Sequence, residues 1–243
     1  MVVAASILFV TRILVTTGNI NANMEMPRGS PVALTVNFIL EKIRLGQFAG
    51  GHRLIEGDLA AELDVGRGSI REALRILAGD GVVELIPHKG ASVKRLNEGD
   101  LIQIYEALTG MHWAAVRICA KRSDEQEIRE GITFSYKRLA QVRIAEDHLS
   151  WFLALGEYHR ETYRLSGNAI LNREQDRMRN VHFHRELTRY ISIENWDKYL
   201  FIYQRLSDAI LAGDFKKAGT IIADHLDHIV ELLRQSEKPA IFR

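Results

Sequence analysis

Between Pro31 and Leu45 the apolar residues Val32, Val36, Ile39, Leu40 and Ile43 recur at the spacing that lines one face of a helix. Gly50-Gly51 breaks that pattern, and Glu56 to Leu63 resumes it with Leu59, Ala60 and Leu63 facing inward. After a tight Asp64-Val65-Gly66 turn, a third amphipathic segment runs from Gly66 to Gly79, with Ile70, Ala73, Leu74 and Leu77 on one stripe. The period then changes. Val82–Ile86 and Ala91–Lys94 read as two strands joined by the turn Pro87-His88-Lys89-Gly90.

From Asp100 onward the pattern is helical throughout. Helices are expected near 100–121, 124–142, 146–166, 169–190, 195–212 and 214–236. Asp100, Ser123, Asp124 and Asp214 suit N-caps or first turns, while Gly167 and Gly213 suit helix stops. Short connections between such helices predict an antiparallel bundle around one core. The polar, turn-rich Leu96-Asn97-Glu98-Gly99 places a domain boundary between residues 30–96 and 97–243. The expected fold is mainly α: a winged helix-turn-helix with a small β wing, followed by an all-α bundle.

Helix, turn, helix and wing in that order make a module whose second helix enters the DNA major groove. Its third amphipathic segment has the required chemistry. Arg67, Arg71 and Arg75 are four apart and share one face, with the apolar stripe on another. Arg67 sits near the helix start, where a guanidinium can meet guanine O6 and N7. Arg71 and Arg75 are placed for phosphates, and Ser69 adds a hydroxyl. In the wing, His88 and Lys89 project towards the minor groove or the flanking backbone. Arginines four apart also occur on a merely solvated face, so the surrounding module carries the weight of the reading.

Charge sharpens this. The 243 residues carry a formal net charge of only +1, so any nucleic-acid footprint must be local. The single Cys119 excludes a disulfide framework and fits a reducing cytoplasm. Val2 to Thr17 is apolar but short, and Arg12 interrupts it. It lacks the length of a spanning helix and the charge order of a signal peptide, so residues 1–29 are expected to be a disordered or misannotated extension, with no membrane partner.

The run from Leu54 to Val93 resembles the GntR family of bacterial transcription regulators, in its FadR-type branch. The matching residues are Leu54, Glu56, Leu59-Ala60, Glu62-Leu63, Val65, Arg67, Ile70-Arg71-Glu72-Ala73-Leu74, Leu77, Gly81-Val82-Val83-Glu84, Pro87, Gly90 and Val93. Arg67 and Arg71 match the family's DNA-contacting arginines. Gly66, Gly68 and Ser69 stand where the family has Ser, Thr and Pro, which removes a side-chain cap from the recognition helix. Tyr105-Glu106, His159, Ser166-Gly167-Asn168, Ala209-Ile210, Gly213-Asp214, Ala218 and His225 extend the resemblance into the all-helical ligand-binding (FCD) domain.

The resemblance implies a homodimer on a palindromic operator and a small-molecule effector in the bundle. In many members the cavity also holds a metal through one Asp and three His. Here the Asp position is Leu155 and one His position is Tyr203, leaving His159 and His225 as the only matching ligands if a metal binds. His112, His182, His184 and His228 fall on the same half, and His225 and His228 share a helix face. Leu108 and His112 replace an arginine and a glutamate found in many relatives. These departures predict a less polar, metal-free cavity suited to an apolar or aromatic effector. Its expected lining is His112, His159, Asn168, Tyr203 and His225, each of which also suits a buried, satisfied polar role. A degenerate pocket that binds nothing stays open beside that.

The leading function is thus a sequence-specific DNA-binding regulator, a repressor released by a metabolite, and not an enzyme. The alternatives are an interaction module without specific DNA binding and, last, a metal-dependent helical-bundle enzyme. The latter lacks a nucleophile motif or a complete ligand set.

Overall fold

A computed structural model describes residues 29–235, except 87–89, 143–147 and most of 179–195. The chain forms two compact units: the described residues up to Asn97 fall in the first, and Glu98–Met178 with the described residues from Leu187 onward fall in the second.

The first unit begins with α1 (Pro31–Arg44), started by Ser30, whose Oγ accepts from the Ala33 amide, and by Pro31 at the first helical position. A two-residue strand, β1 (Arg53–Leu54), leads to α2 (Glu56–Leu63) and α3 (Arg67–Gly79). Between the two helices Asp64 adopts a left-handed conformation, φ 51° and ψ 47°, the turn that reverses the chain. Asp tolerates that region better than most residues because its short side chain can bond locally. The wing follows as β2 (Val83–Ile86) and β3 (Gly90–Val93).

Strand order is β1-β3-β2, all antiparallel, with Leu54 opposite Ala91 and Val83 opposite Val93. Central β3 is buried at Ala91, Ser92 and Val93, whereas β2 is exposed after Val83. The core gathers Val36, Ile39, Leu40 and Ile43 of α1 with Leu59, Ile70, Ala73, Leu74 and Leu77, the faces that the periodicity predicts. Strand β1 is the addition, because two residues carry no period. Its Leu54 is buried all the same.

The second unit is helical: α4 (Glu98–Lys121), α5 (Gln126–Val142), α6 (His148–Ser166), α7 (Ala169–Met178), α8 (Trp196–Leu211) and α9 (Phe215–Gln235). Helix α4 is central, packing against α6, α7, α8 and α9. Gly167 and Gly213, at φ 69° and 72°, end α6 and α8 as expected. Asp214 caps α9, its Oδ1 accepting from the Lys217 amide. The expected 169–190 helix is described as a helix to Met178, and its later residues lie mostly outside the described set. The expected extension at 1–29 does so too, apart from Gly29. No described helix is long and apolar enough to cross a membrane.

Candidate functional site

Helix α3 buries Ile70, Ala73, Leu74 and Leu77 and turns its arginines outward. Arg67 is exposed, and the side chains of Arg71 and Arg75 are 58% and 67% accessible. The two are not equivalent. Arg71 Nε donates to Glu56 Oε2 of α2 at 2.8 Å, while Arg75 Nη1 meets Glu72 Oε2 at 3.3 Å within its own helix. Ser69 is half-buried in the first turn. The N-cap of α3 is Gly66, which offers no side-chain hydrogen bond, and the first turn holds no acid. The amides and positive dipole end of α3 are thus met by no carboxylate from that turn. His88 and Lys89 lie outside the described residues.

In the helical unit four helices bring imidazole and phenol rings together. His112 of α4 meets His159 of α6 edge to face, with ring centroids 4.4 Å apart. Nε2 of His159 shares a 3.0 Å hydrogen bond with the Tyr203 hydroxyl of α8. The Tyr203 ring packs edge-on at 5.7 Å from that of His225 on α9. Around His225 stand two further rings, Tyr105 at 6.2 Å and Tyr199 at 5.8 Å. Beneath the cluster Tyr158 bonds Ser207 Oγ at 2.9 Å, and the Ser207 hydroxyl donates back to the Tyr203 carbonyl. Four of the five predicted pocket residues, His112, His159, Tyr203 and His225, therefore lie in one cluster.

Asn168 has a different role. Its Oδ1 accepts from the amides of Ile170 and Leu171, both at 3.1 Å, which makes it the N-cap of α7.

The electrostatics of the cluster follow from burial. Desolvation, with His228 and Lys198 adding positive field, lowers the His225 imidazole to about 4, so it is neutral at pH 7. His228 is also shifted down, by burial and by Lys198, whose Nζ lies 3.2 Å from its Nε2. His225 Nδ1 and the Tyr199 hydroxyl are buried with no hydrogen-bond partner among the described residues. Burial raises the Cys119 thiol to about 12 and keeps it protonated.

Residues 35–93 match the model of the bacterial regulatory proteins of the gntR family, and residues 103–228 match the FCD domain. The chain belongs to the GntR family. It is 30% identical over 195 residues to the Nta operon transcriptional regulator of Aminobacter aminovorans, covering 77% of this chain and 89% of that one. It is 22% identical over 201 residues to the transcriptional repressor GlaR of Escherichia coli strain K12, covering 79% and 90%. A crystal structure from Rhodococcus sp. RHA1 superposes with a TM-score of 0.70 at 20% identity, covering 86% of this chain and all of that one. As a GntR-family member with an FCD domain, the chain is a DNA-binding transcription regulator.

Its GntR-type bundle does not suit a metal ion. Leu155 supplies no oxygen where a carboxylate is expected, and the Tyr203 phenol hydrogen-bonds Nε2 of His159, one of its two possible ligating nitrogens. His228 turns to Lys198 instead of chelating with His225. Among the described residues no three His, Cys, Asp or Glu side chains converge as a ligand set.

Three contributors to these sites, Tyr199, Ser207 and Glu56, carry no motif that marks them. Tyr199 precedes Tyr203 by one helical turn and Ser207 follows by another, so a polar stripe at four-residue spacing marks the inward face of α8. Glu56 gives no such signal, because its partner lies fifteen residues away across a turn.

Proposed function

We propose that this GntR-family regulator is a dimeric repressor. It holds a palindromic operator and releases it when a small molecule occupies the ring cluster of its helical unit. The exposed arginine face of α3 carries the DNA half of this reading. In it, Arg67 reads a guanine from the first turn, Arg71 and Arg75 contact phosphates, and Ser69 adds a hydroxyl contact. His88 and Lys89, between β2 and β3 in the chain, contact the flanking backbone or minor groove in this reading. One recognition helix covers a few base pairs, so two related by symmetry, about one helical turn apart, supply the length a specific site needs. The repressor name of GlaR supports the sign of the response. A cytoplasmic setting agrees with DNA as the target and with Cys119 being a single free cysteine.

Release requires that the effector bind one dimer geometry better than the other. The convergence of His112, His159, Tyr203 and His225 inside the FCD domain supports the effector half.

The test is retention of sheared genomic DNA from the source organism by the purified full chain, followed by sequencing. A small set of peaks sharing a short inverted repeat is expected, and Arg67→Ala should weaken them and relax the repeat at one base position while the protein still melts cooperatively. Uniform recovery, or retention insensitive to salt, would instead favour an interaction module, because phosphate contacts release counterions.

A further inference from the structure

We propose that the rings around His225 bind an uncharged aromatic ligand carrying a hydroxyl, of the phenol or aryl-alcohol class, without a metal ion. This rests on the effector reading above and names the ligand class for it.

Two atoms point to a ligand. His225 Nδ1 and the Tyr199 hydroxyl are both buried, and neither has a hydrogen-bond partner among the described residues. An unpaired buried polar atom is destabilising, and native folds rarely keep one without a water or ligand to meet it. Here two such atoms sit on adjacent rings, 5.8 Å between centroids. A hydroxyl both donates and accepts, so one such group answers an imidazole nitrogen and a phenol together.

The surroundings select the rest of the molecule. The Tyr105, Tyr199 and Tyr203 rings stand at 74°, 67° and 80° to the His225 ring. Aromatic groups pack favourably in such edge-to-face arrangements, and a planar apolar body extends the set. Charge is what the cluster lacks. No buried side chain on α4, α6, α8 or α9 among the described residues is Arg, Lys, Asp or Glu. The cation nearby, Lys198, is exposed and meets His228. A carboxylate entering here would leave water without a buried counter-charge, which is strongly unfavourable.

The experiment is calorimetric titration of the full chain with phenol and, separately, with benzoate, in the presence of EDTA. The same titrations on Tyr199→Phe, which removes only the hydroxyl, are paired with thermal melts. Phenol should bind the parent at least about tenfold more tightly than benzoate, since benzoate must shed its hydration unpaired. Tyr199→Phe should weaken phenol about three- to tenfold, the effect of one hydrogen bond, while melting at or above the parent temperature. Benzoate binding as tightly as phenol, no phenol binding at millimolar concentration, or an unchanged phenol affinity in Tyr199→Phe each overturns the assignment. Operator affinity is measured alongside. If phenol binds as expected but leaves DNA affinity unchanged, the ligand class stands and effector-driven release fails.

Discussion

Arg71 of the recognition helix donates its Nε to Glu56 of the preceding helix at 2.8 Å, tying α2 to α3 across the turn at Asp64. Both side chains are partly exposed, so the pair adds about 0.2–1 kcal/mol at most to stability. Its larger effect is on the DNA face. Glu56 offsets the charge of Arg71 and fixes the plane of its guanidinium. Glu56→Gln is therefore expected to bind random-sequence DNA more tightly, with a log–log salt slope steeper by about one. Its discrimination between operator and random sequence should fall. Fluorescence anisotropy across a salt series reads both, and an unchanged slope would mean that Arg71 does not approach phosphate.

Arg67 differs from Arg71 and Arg75 in lying in the first turn of α3, at a helix end with no side-chain cap. Arg67→Ala should lose about 1–3 kcal/mol of discrimination at one base position, the worth of a bidentate contact to guanine. Because the residue is exposed, Tm should stay within a degree or two. Competition binding against single-base operator variants measures the loss, and a uniform loss across all variants would reassign Arg67 to the backbone.

Folding stability should fall as pH drops from 6.5 towards 4. The unfolded chain protonates a histidine at about 6.5, whereas the folded chain holds His225 neutral down to about 4. In that window the unfolded state binds more protons, so stability rises with pH and is fully present above 6.5. The difference is worth at most about 3 kcal/mol at the acid end. Urea titrations at pH 5 and 7 should show it, and His225→Gln should flatten the dependence.

Zinc should leave the Tm of the parent chain unchanged, because Leu155 offers no ligand and Tyr203 covers His159. The double variant Leu155→Asp/Tyr203→His restores the residue types that the family uses at those places. It should melt higher in equimolar zinc, as binding to the native state alone requires. A zinc-dependent rise in the parent would contradict the reading of this bundle as metal-free.

Asn168→Ala should cost about 1 kcal/mol of stability, the usual loss of an N-cap. The capping bonds to Ile170 and Leu171 account for the side-chain oxygen, so phenol affinity should not change. Equal loss of stability and ligand affinity would return Asn168 to the effector site.

Much of this protein is legible along the chain. Hydrophobic period alone determines which face of each helix is buried, since Ile70, Ala73, Leu74 and Leu77 must leave water whatever surrounds them. The same period forces Arg67, Arg71 and Arg75 outward together, and Gly167 and Gly213 mark their helix ends because few other residues accept a left-handed turn. What the tertiary structure alone decided is pairing at long range. Tyr203 is a substitution in the sequence and a hydrogen-bond partner of His159 in the fold, forty-four residues away. Glu56 becomes the anchor of Arg71, fifteen residues away across a turn. Local periodicity is set by backbone geometry that every residue shares. The partner of a polar side chain depends on which helices meet, and only the packed bundle settles that.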